Sequence, residues 1–588
     1  MKDCTIQTRM TPGRTPMKIK WNKDISLSPE IITALAVLLY FIYSNLEHPI
    51  QPDLYYMIRC GEEFWRTKGA LEPYPFSWVP SECRVPWINY QWLAHLIAWF
   101  LYSAWGLFAM VILKSVLYGA GYTVMFFHAR KTAGTLAALL SLIPAIWIGK
   151  TFFMERPMAY TSLFFPLLAY LLLDIERSSL RIFHWIAFPA IFAVWVNVHG
   201  GFFPGLIFLL PAFIYLAVRN FSRLRGASGK FNTMASLTGI WLLCLLATLF
   251  LTPYGTKLFH CALEFLFLRP VFINVAGDMI SPLKTPGIFI PFLLISSVTT
   301  VFLVISLIKK SHQFSILELS IYFFWLLFAL RAQRNIQLYS SAAVPVMAFL
   351  IHGLLENISL QLSKSSFTVR LRSLAEATKL IALFIVISLY LSLGFSVDLT
   401  GKSYEKRILP VHLKDFLLAN RLPSKLYCYD VLGDYFMFYL YPKYTVSFDS
   451  GWNINYSDQY FIEISHSFAG RDAFFSFINK YGLDTIILCT KPSFLDGVPG
   501  WLLIYEGEGC RVFLRVSPAN REIVEKFRKD QLIYPDSYQV NSFLYERYIA
   551  LNNLHTARKY LIRLIIENPE EKVLRDNLHA IDRALTTQ

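Results

Sequence analysis

Long apolar runs broken by short polar turns fill the first two thirds of the chain. A helix needs about 20 apolar residues to cross a bilayer. Runs near that length recur at residues 31–46, 107–127, 133–150, 157–174, 182–197, 204–219, 233–252, 287–308, 315–331, 336–354 and 378–396. They predict an α-helical polytopic membrane protein of about eleven transmembrane helices. The stretch Gln91–Trp105 is apolar but short, which favours a helix lying in the interface.

The turns between the runs sort by charge. His128–Lys131, Glu176–Arg181, Arg219–Lys230, Lys309-Lys310 and Lys364–Lys379 hold basic residues and predict the cytoplasmic face. Counting Gln91–Trp105 as a span would put His128–Lys131 on the other side. The opposite turns, Met154–Met158, His199–Pro204, Thr252–Pro286 and Arg331–Gln337, are polar or glycine-rich. The N-terminal segment carries Arg9, Arg14, Lys18, Lys20 and Lys23, and no small-x-small cleavage site follows the first run. An uncleaved first helix with a cytoplasmic N-terminus is therefore expected.

After Phe395 the pattern changes. Short β-rich runs (Leu426–Tyr429, Tyr444–Phe448, Thr485–Leu488, Leu502–Tyr505, Arg511–Val516) alternate with helical patterns at Ser457–Phe468 and Arg471–Tyr481. Farther on, Val540–Leu551 and Leu554–Glu567 predict an antiparallel helix pair that resembles a tetratricopeptide unit. The expected organisation is a basic cytoplasmic tail (1–26), a membrane domain (27–399) with a first outer loop (47–105), an extracytoplasmic α/β domain (400–517) and a helical segment (518–588).

Composition agrees with this division. Of 588 residues, 55% are hydrophobic and 16% charged, with a mean hydropathy of +0.43; lipid supplies the cover that charges would give a soluble protein. The net charge of +15 does not imply nucleic acid, because the basic residues sit in short loops between apolar runs. The eight cysteines show no metal-ligand spacing. Cys60 and Cys83 share the first outer loop, and two unpaired thiols are favoured over a disulfide.

Candidate chemistry collects on the outer face. Asp53 follows the first run by a few residues. It either caps the helix Leu54–Lys68 or serves as a general base or divalent-ion ligand, and these roles can coexist. Ionisable groups at membrane helix ends default to functional candidates. Four turns carry such groups or flexible polar pieces: Glu155-Arg156-Pro157, Asn197-Val-His199-Gly200-Gly201, Thr252-Pro-Tyr254-Gly255 and Arg331-Ala-Gln-Arg334-Asn335. Three arginines on one face suit phosphate oxygens; the alternative is lipid headgroups, or pairing with Glu155 or Asp53. His199 by itself reads as an ordinary interfacial histidine.

The ordered set Asp53, Gly61-Glu62, Pro75-Phe76-Ser77, Trp92-Leu93, Arg156-Pro157, Trp195-x-Asn197-x-His199-Gly200-Gly201, Pro253-Tyr254-Gly255 and Arg334-Asn335-Ile336 resembles a group of bacterial membrane proteins with the GT-C glycosyltransferase fold. Gly433-Asp-Tyr-Phe and Tyr441-Pro-Lys-Tyr extend the resemblance into the α/β unit. It implies transfer of a sugar from a polyprenyl-phosphate donor to an extracytoplasmic acceptor at the bacterial plasma membrane. Asp53 is then the base, and Arg156, His199, Arg331, Arg334 and Asn335 are candidates for substrate and phosphate binding. Glu62, Asn197 and Tyr254 are further candidates, and the cofactor is left open, a divalent cation included. The chain departs from the group's pattern at Gln51, Met57, Tyr74, Tyr90-Gln91 and Thr252. Those departures keep a second reading open, a non-catalytic membrane scaffold that presents its soluble C-terminal domain and helices to a protein partner.

Overall fold

The computed structural model describes residues 35–42, 51–69, 74–85, 87–223, 227–264, 277–309, 314–362, 409–451, 455–489 and 493–586. The basic tail, half of the first predicted span, the turn Lys364–Lys379 and the span 378–396 lie outside the described residues.

The first outer loop opens with α2 (Asp53–Arg66), after the helical residues 35–42 (α1). It packs along α3 (Trp92–Trp105), which has 14 residues. At 1.5 Å per residue that is about 21 Å, short of a roughly 30 Å hydrocarbon core. Next, α4 (Leu107–Gly149) joins two predicted spans. The chain turns at Gly134 (φ 78°, ψ 166°), a conformation open to glycine, and not at the basic His128–Lys131. The bundle continues with α5 (Met158–Arg177), α6 (Ile182–Val198), α7 (Phe202–Arg223), α8 (Ala227–Phe250), the short α9 (Thr256–Leu263), α10 (Ile290–Ile308) and α11 (Ile316–Arg331). The predicted run 336–354 is a broken pair, α12 (Ile336–Ala342) and α13 (Val344–Leu362), bent by 51°. Among the described residues five helices are long and apolar enough to cross a membrane, or six with the bent pair counted as one span.

Large side chains such as Ile143, Trp147, Ile186, Phe250, Leu294 and Ile308 point outward from these helices, as lipid-facing positions should. Inside, aromatic rings interlock; Phe165 meets Trp325 edge-on at 4.6 Å. Buried hydroxyls staple helices together: Tyr339 donates to Tyr322 at 3.0 Å, and Tyr322 meets Thr300 at 2.9 Å. Polar groups without water must find such partners.

The C-terminal part begins with α14 (Val411–Ala419) and builds a five-stranded mixed sheet in the order β2-β1-β3-β5-β4. Parallel β1 (Lys425–Tyr427), β2 (Thr445–Val446) and β3 (Thr485–Leu488) continue into antiparallel β5 (Cys510–Arg515) and β4 (Trp501–Gly507). All five strands fall on the predicted β-rich runs. Helices α15 (Asp430–Leu440), α16 (Asp458–Ala469) and α17 (Arg471–Lys480) accompany the sheet. A disulfide joins Cys489 to Cys510, whereas Cys60 and Cys83 are free thiols. After α18 (Arg521–Arg528) come α19 (Tyr538–Ala550), α20 (Leu554–Glu567) and α21 (Lys572–Thr586). Tyr548 and Tyr560 stack at 5.6 Å across the hairpin.

The first outer loop fastens the sheet to the bundle. Ser77 forms a parallel bridge with Val446 on β2, and Trp78 Nε1 donates to Leu426 O at 2.9 Å. The Pro75-Phe76-Ser77 motif is thus an added edge segment of the sheet. Tyr74 packs in an aromatic cluster with Phe76 and Trp87.

Candidate functional site

The site is built where helix ends on the predicted outer face meet the first loop. Helix α2 starts at Asp53 with Pro52 in the capping position, and no side chain caps it. Asp53 therefore does not cap, contrary to one of the two expectations. Its carboxylate turns instead to Arg156, with Oδ2 2.9 Å from Nε. That Nε makes no directed hydrogen bond, so the contact is an ion pair set by charge. Arg156 also donates through Nη1 to Asp278 Oδ2 at 3.0 Å. The same oxygen lies 3.6 Å from Arg334 Nη1. Asp53, Arg156, Asp278 and Arg334 form one alternating chain of two carboxylates and two guanidiniums. Each side chain is about a quarter exposed, from 25% to 29%.

The turn carrying Arg156 is held from below. Glu155 pairs with Lys114 of α4, and both side chains are only 2% exposed. Gln51 N–H reaches the other Glu155 oxygen at 3.4 Å. The turn carrying Arg334 is held by Asn335, whose Nδ2 donates to Phe328 O at 3.1 Å, and by Gln333 N–H to Ile280 O at 3.0 Å.

His199 ends α6 beside this network. Its Nδ1 accepts from Gly201 N–H at 3.0 Å and meets Thr161 Oγ1 at 2.7 Å. Trp195 Nε1 donates to that hydroxyl at 2.9 Å, which orients the hydroxyl proton toward the imidazole. Burial, aided by the Arg334 charge, pushes the His199 pKa down to about 3. A neutral ring accepting at Nδ1 carries its proton on Nε2 and is a fixed donor. Tyr90 lies half-buried within the field of Arg334, and desolvation pushes it up to about 12.

Other predicted residues go elsewhere. Arg331 is exposed at the end of α11. Glu62 pairs with Arg59 at 2.6 Å, and Arg59 lies 5.0 Å over the Tyr441 ring of the soluble domain. Asn197 is structural: it accepts from Trp92 Nε1 at 2.7 Å and donates to Ala193 O and Leu251 O. Tyr254 is half-buried against the membrane-domain core.

Two carboxylates went unpredicted. Asp278 lies in the long outer turn, where an acidic residue beside Gly277 was the available signal. Asp434 lies on α15, inside the Gly433-Asp-Tyr-Phe resemblance. Gly433 lets α15 approach the loop after β2, since a Cβ there would sit 1.8 Å from Phe448 O. The buried Asp434 accepts from Ser450 N–H at 2.8 Å and from the Ser450 hydroxyl. Burial raises its pKa well above the usual range, with the negative charges of Asp53 and Asp449 adding to the rise. The soluble domain thereby brings a carboxyl group into the electrostatic field of Asp53. Among the described residues, no cluster of three or more His, Cys, Asp or Glu side chains has metal-binding geometry.

No family model matches this sequence, and no curated protein matches it. Its fold is similar to that of ArnT from Cupriavidus metallidurans, solved bound to undecaprenyl phosphate. The two share 13% identity at a TM-score of 0.50, over 83% of this chain and 98% of that one. Also similar, at 11% identity, are structures of the Archaeoglobus fulgidus oligosaccharyltransferase. The apo form has a TM-score of 0.42, and the complex with zinc and sulfate 0.39. They align with 80% and 78% of this chain and with 70% and 67% of those chains. The fold is that of the GT-C membrane glycosyltransferases.

Proposed function

We propose that the protein is a membrane glycosyltransferase that moves a sugar from a polyprenyl-phosphate donor to an acceptor on the outer face. The observation that carries this reading is the Asp53–Arg156–Asp278–Arg334 chain at the helix ends of a GT-C fold. ArnT, the structural relative, was solved with undecaprenyl phosphate.

In the proposed reaction Asp53 takes the proton from an acceptor hydroxyl. The hydroxyl oxygen bonds to the anomeric carbon, and the bond from that carbon to the phosphate oxygen breaks. The electron pair leaves on the phosphate, where Arg156 and Arg334 stabilise the developing charge. His199, neutral and fixed, offers Nε2–H as a donor beside Arg334. The departure at Tyr74 falls on a buried packing position, whereas Met57, one turn after Asp53, lines a small cavity with Glu155 and Arg156.

The test is glycan product in cells, by mass spectrometry. Asp53→Asn keeps the side chain's shape but cannot take the proton, and loss of a general base costs about 100- to 10,000-fold in rate. Unchanged product from a folded Asp53→Asn protein rejects the enzyme. If deleting residues 519–588 removes function while Asp53→Asn does not, the scaffold reading takes its place.

A further inference from the structure

We propose that Asp278 is an internal stand-in for the phosphate of the lipid carrier, occupying the anion site between Arg156 and Arg334 until that phosphate group displaces it. The inference rests on the glycosyltransferase reading and adds a residue that sets affinity for the lipid carrier.

One carboxylate oxygen, Oδ2, is the point on which both guanidiniums converge, at 3.0 and 3.6 Å. Two guanidiniums closing on a single oxygen is the arrangement a phosphate oxygen takes between arginines. A phosphoryl group and the Asp278 carboxylate cannot both sit there, because like charges at contact distance repel. Binding of the carrier therefore requires Asp278 to move out.

The way Asp278 is held fits a group that leaves. Three acidic side chains of the C-terminal domain are each tied to backbone N–H groups. Asp434 accepts from Ser450 N, Asp449 from Gly451 N, and Glu508 from His412 N and Leu413 N. Asp278 has the two arginines as its described partners and remains a quarter exposed. The anchors of its turn lie downstream: Ile280 O accepts from Gln333 N at 3.0 Å, and Ser281 Oγ donates to Leu330 O at 2.6 Å. A rotation at Asp278 frees both arginines without breaking those two bonds. Arg156 meanwhile keeps its contact with Asp53, so the base stays in place during the exchange.

The shared ligand chemistry is a phosphate anion, carried by a lipid or free in solution. The experiment uses the purified full chain in detergent and measures affinity for undecaprenyl phosphate, inorganic phosphate and uncharged undecaprenol. Asp278→Asn removes the competing charge and should tighten undecaprenyl phosphate binding about tenfold, with no gain for undecaprenol. Asp278→Ser, which also empties the site of charge, should act in the same direction and covers the case in which Asn does not fold. An equal gain for inorganic phosphate assigns the site to the phosphoryl group alone; a gain confined to the lipid assigns it to the carrier, and both support displacement. Unchanged or weaker binding of undecaprenyl phosphate in both folded variants overturns the proposal while leaving the phosphate site intact. If wild type, Asp278→Asn and Arg334→Lys all fail to distinguish undecaprenyl phosphate from undecaprenol, the phosphate-site reading falls, and the proposal with it.

Discussion

Asp53 and Arg156 meet at 2.9 Å although one begins a helix of the first outer loop and the other ends the turn before α5. The contact ties that loop to the membrane bundle at the point where the chemistry is proposed. Arg156 reaches onward to Asp278, and Asp278 to Arg334. Three separate outer turns are thus joined by charge.

The two arginines of this chain should differ from Arg331 in their response to substitution. Arg334→Lys replaces a planar fork with a point charge and should lower turnover about 10- to 100-fold, since a lysine cannot make the bidentate phosphate contact. Arg331→Lys, at an exposed helix end, should leave turnover within about twofold. Product formation in membranes normalised to protein content separates the two, and equal losses would count against the assignment.

The buried ion pair beneath the site gives a stability prediction. Lys114 and Glu155 are both 2% exposed. Removing one partner strands the other charge, at a cost of about 3–5 kcal/mol. Lys114→Met should therefore lower the unfolding temperature sharply, whereas Lys114→Met combined with Glu155→Leu should recover most of the loss. A double variant as unstable as the single one would mean that packing, and not charge pairing, is what Lys114 supplies. Thermal unfolding in detergent provides the comparison.

Much of this was legible in the sequence, for identifiable reasons. Apolar runs gave the helices, because a 20-residue apolar stretch has few alternatives in lipid. Short β-rich runs marked the five strands. Asp53, Arg156, His199 and Arg334 stood out because charged or polar groups at membrane helix ends are costly unless used. Their pairing was not legible, since it depends on turns far apart in the chain meeting in space. Asp278 was hidden in a long turn with no periodicity. Arg331 and Arg334 looked alike in sequence, yet the residues Ala332–Asn335 turn one outward and the other toward Asp278. The break at Gly134 was misplaced because the basic residues that set topology are a few positions away from the glycine that permits the turn.

Sidedness follows from the predicted charge bias and has an independent chemical check. The disulfide Cys489–Cys510 is expected to persist only where the compartment is oxidising. If the α/β unit faces outward, intact cells should yield these two cysteines resistant to alkylation until reduced. An introduced Ala519→Cys, at an exposed position, should react with an impermeant maleimide. Ser178→Cys, exposed among the basic turns, should react only after the membrane is permeabilised. The reverse pattern would overturn the orientation.

Asp434 supplies the pH prediction. Its folded-state pKa is raised, first by burial and then by Asp53 and Asp449, while in the unfolded chain it titrates near 3.9. A raised carboxyl favours the folded state most at acid pH. As pH climbs past the unfolded value, the unfolded chain releases the proton and the folded one retains it, so stability falls by about 1.4 kcal/mol for each pH unit until the folded group ionises. Asp434→Asn removes the proton from this balance. Asparagine still offers an oxygen to Ser450 N–H and can donate to the Ser450 hydroxyl, so the local hydrogen bonds survive. The variant should melt higher than wild type at pH 7–8, and the gap should narrow as pH falls toward 5. Unfolding followed by tryptophan fluorescence from pH 5 to 8 makes the comparison, and parallel curves for the two proteins would show that Asp434 is not held protonated by its neighbours.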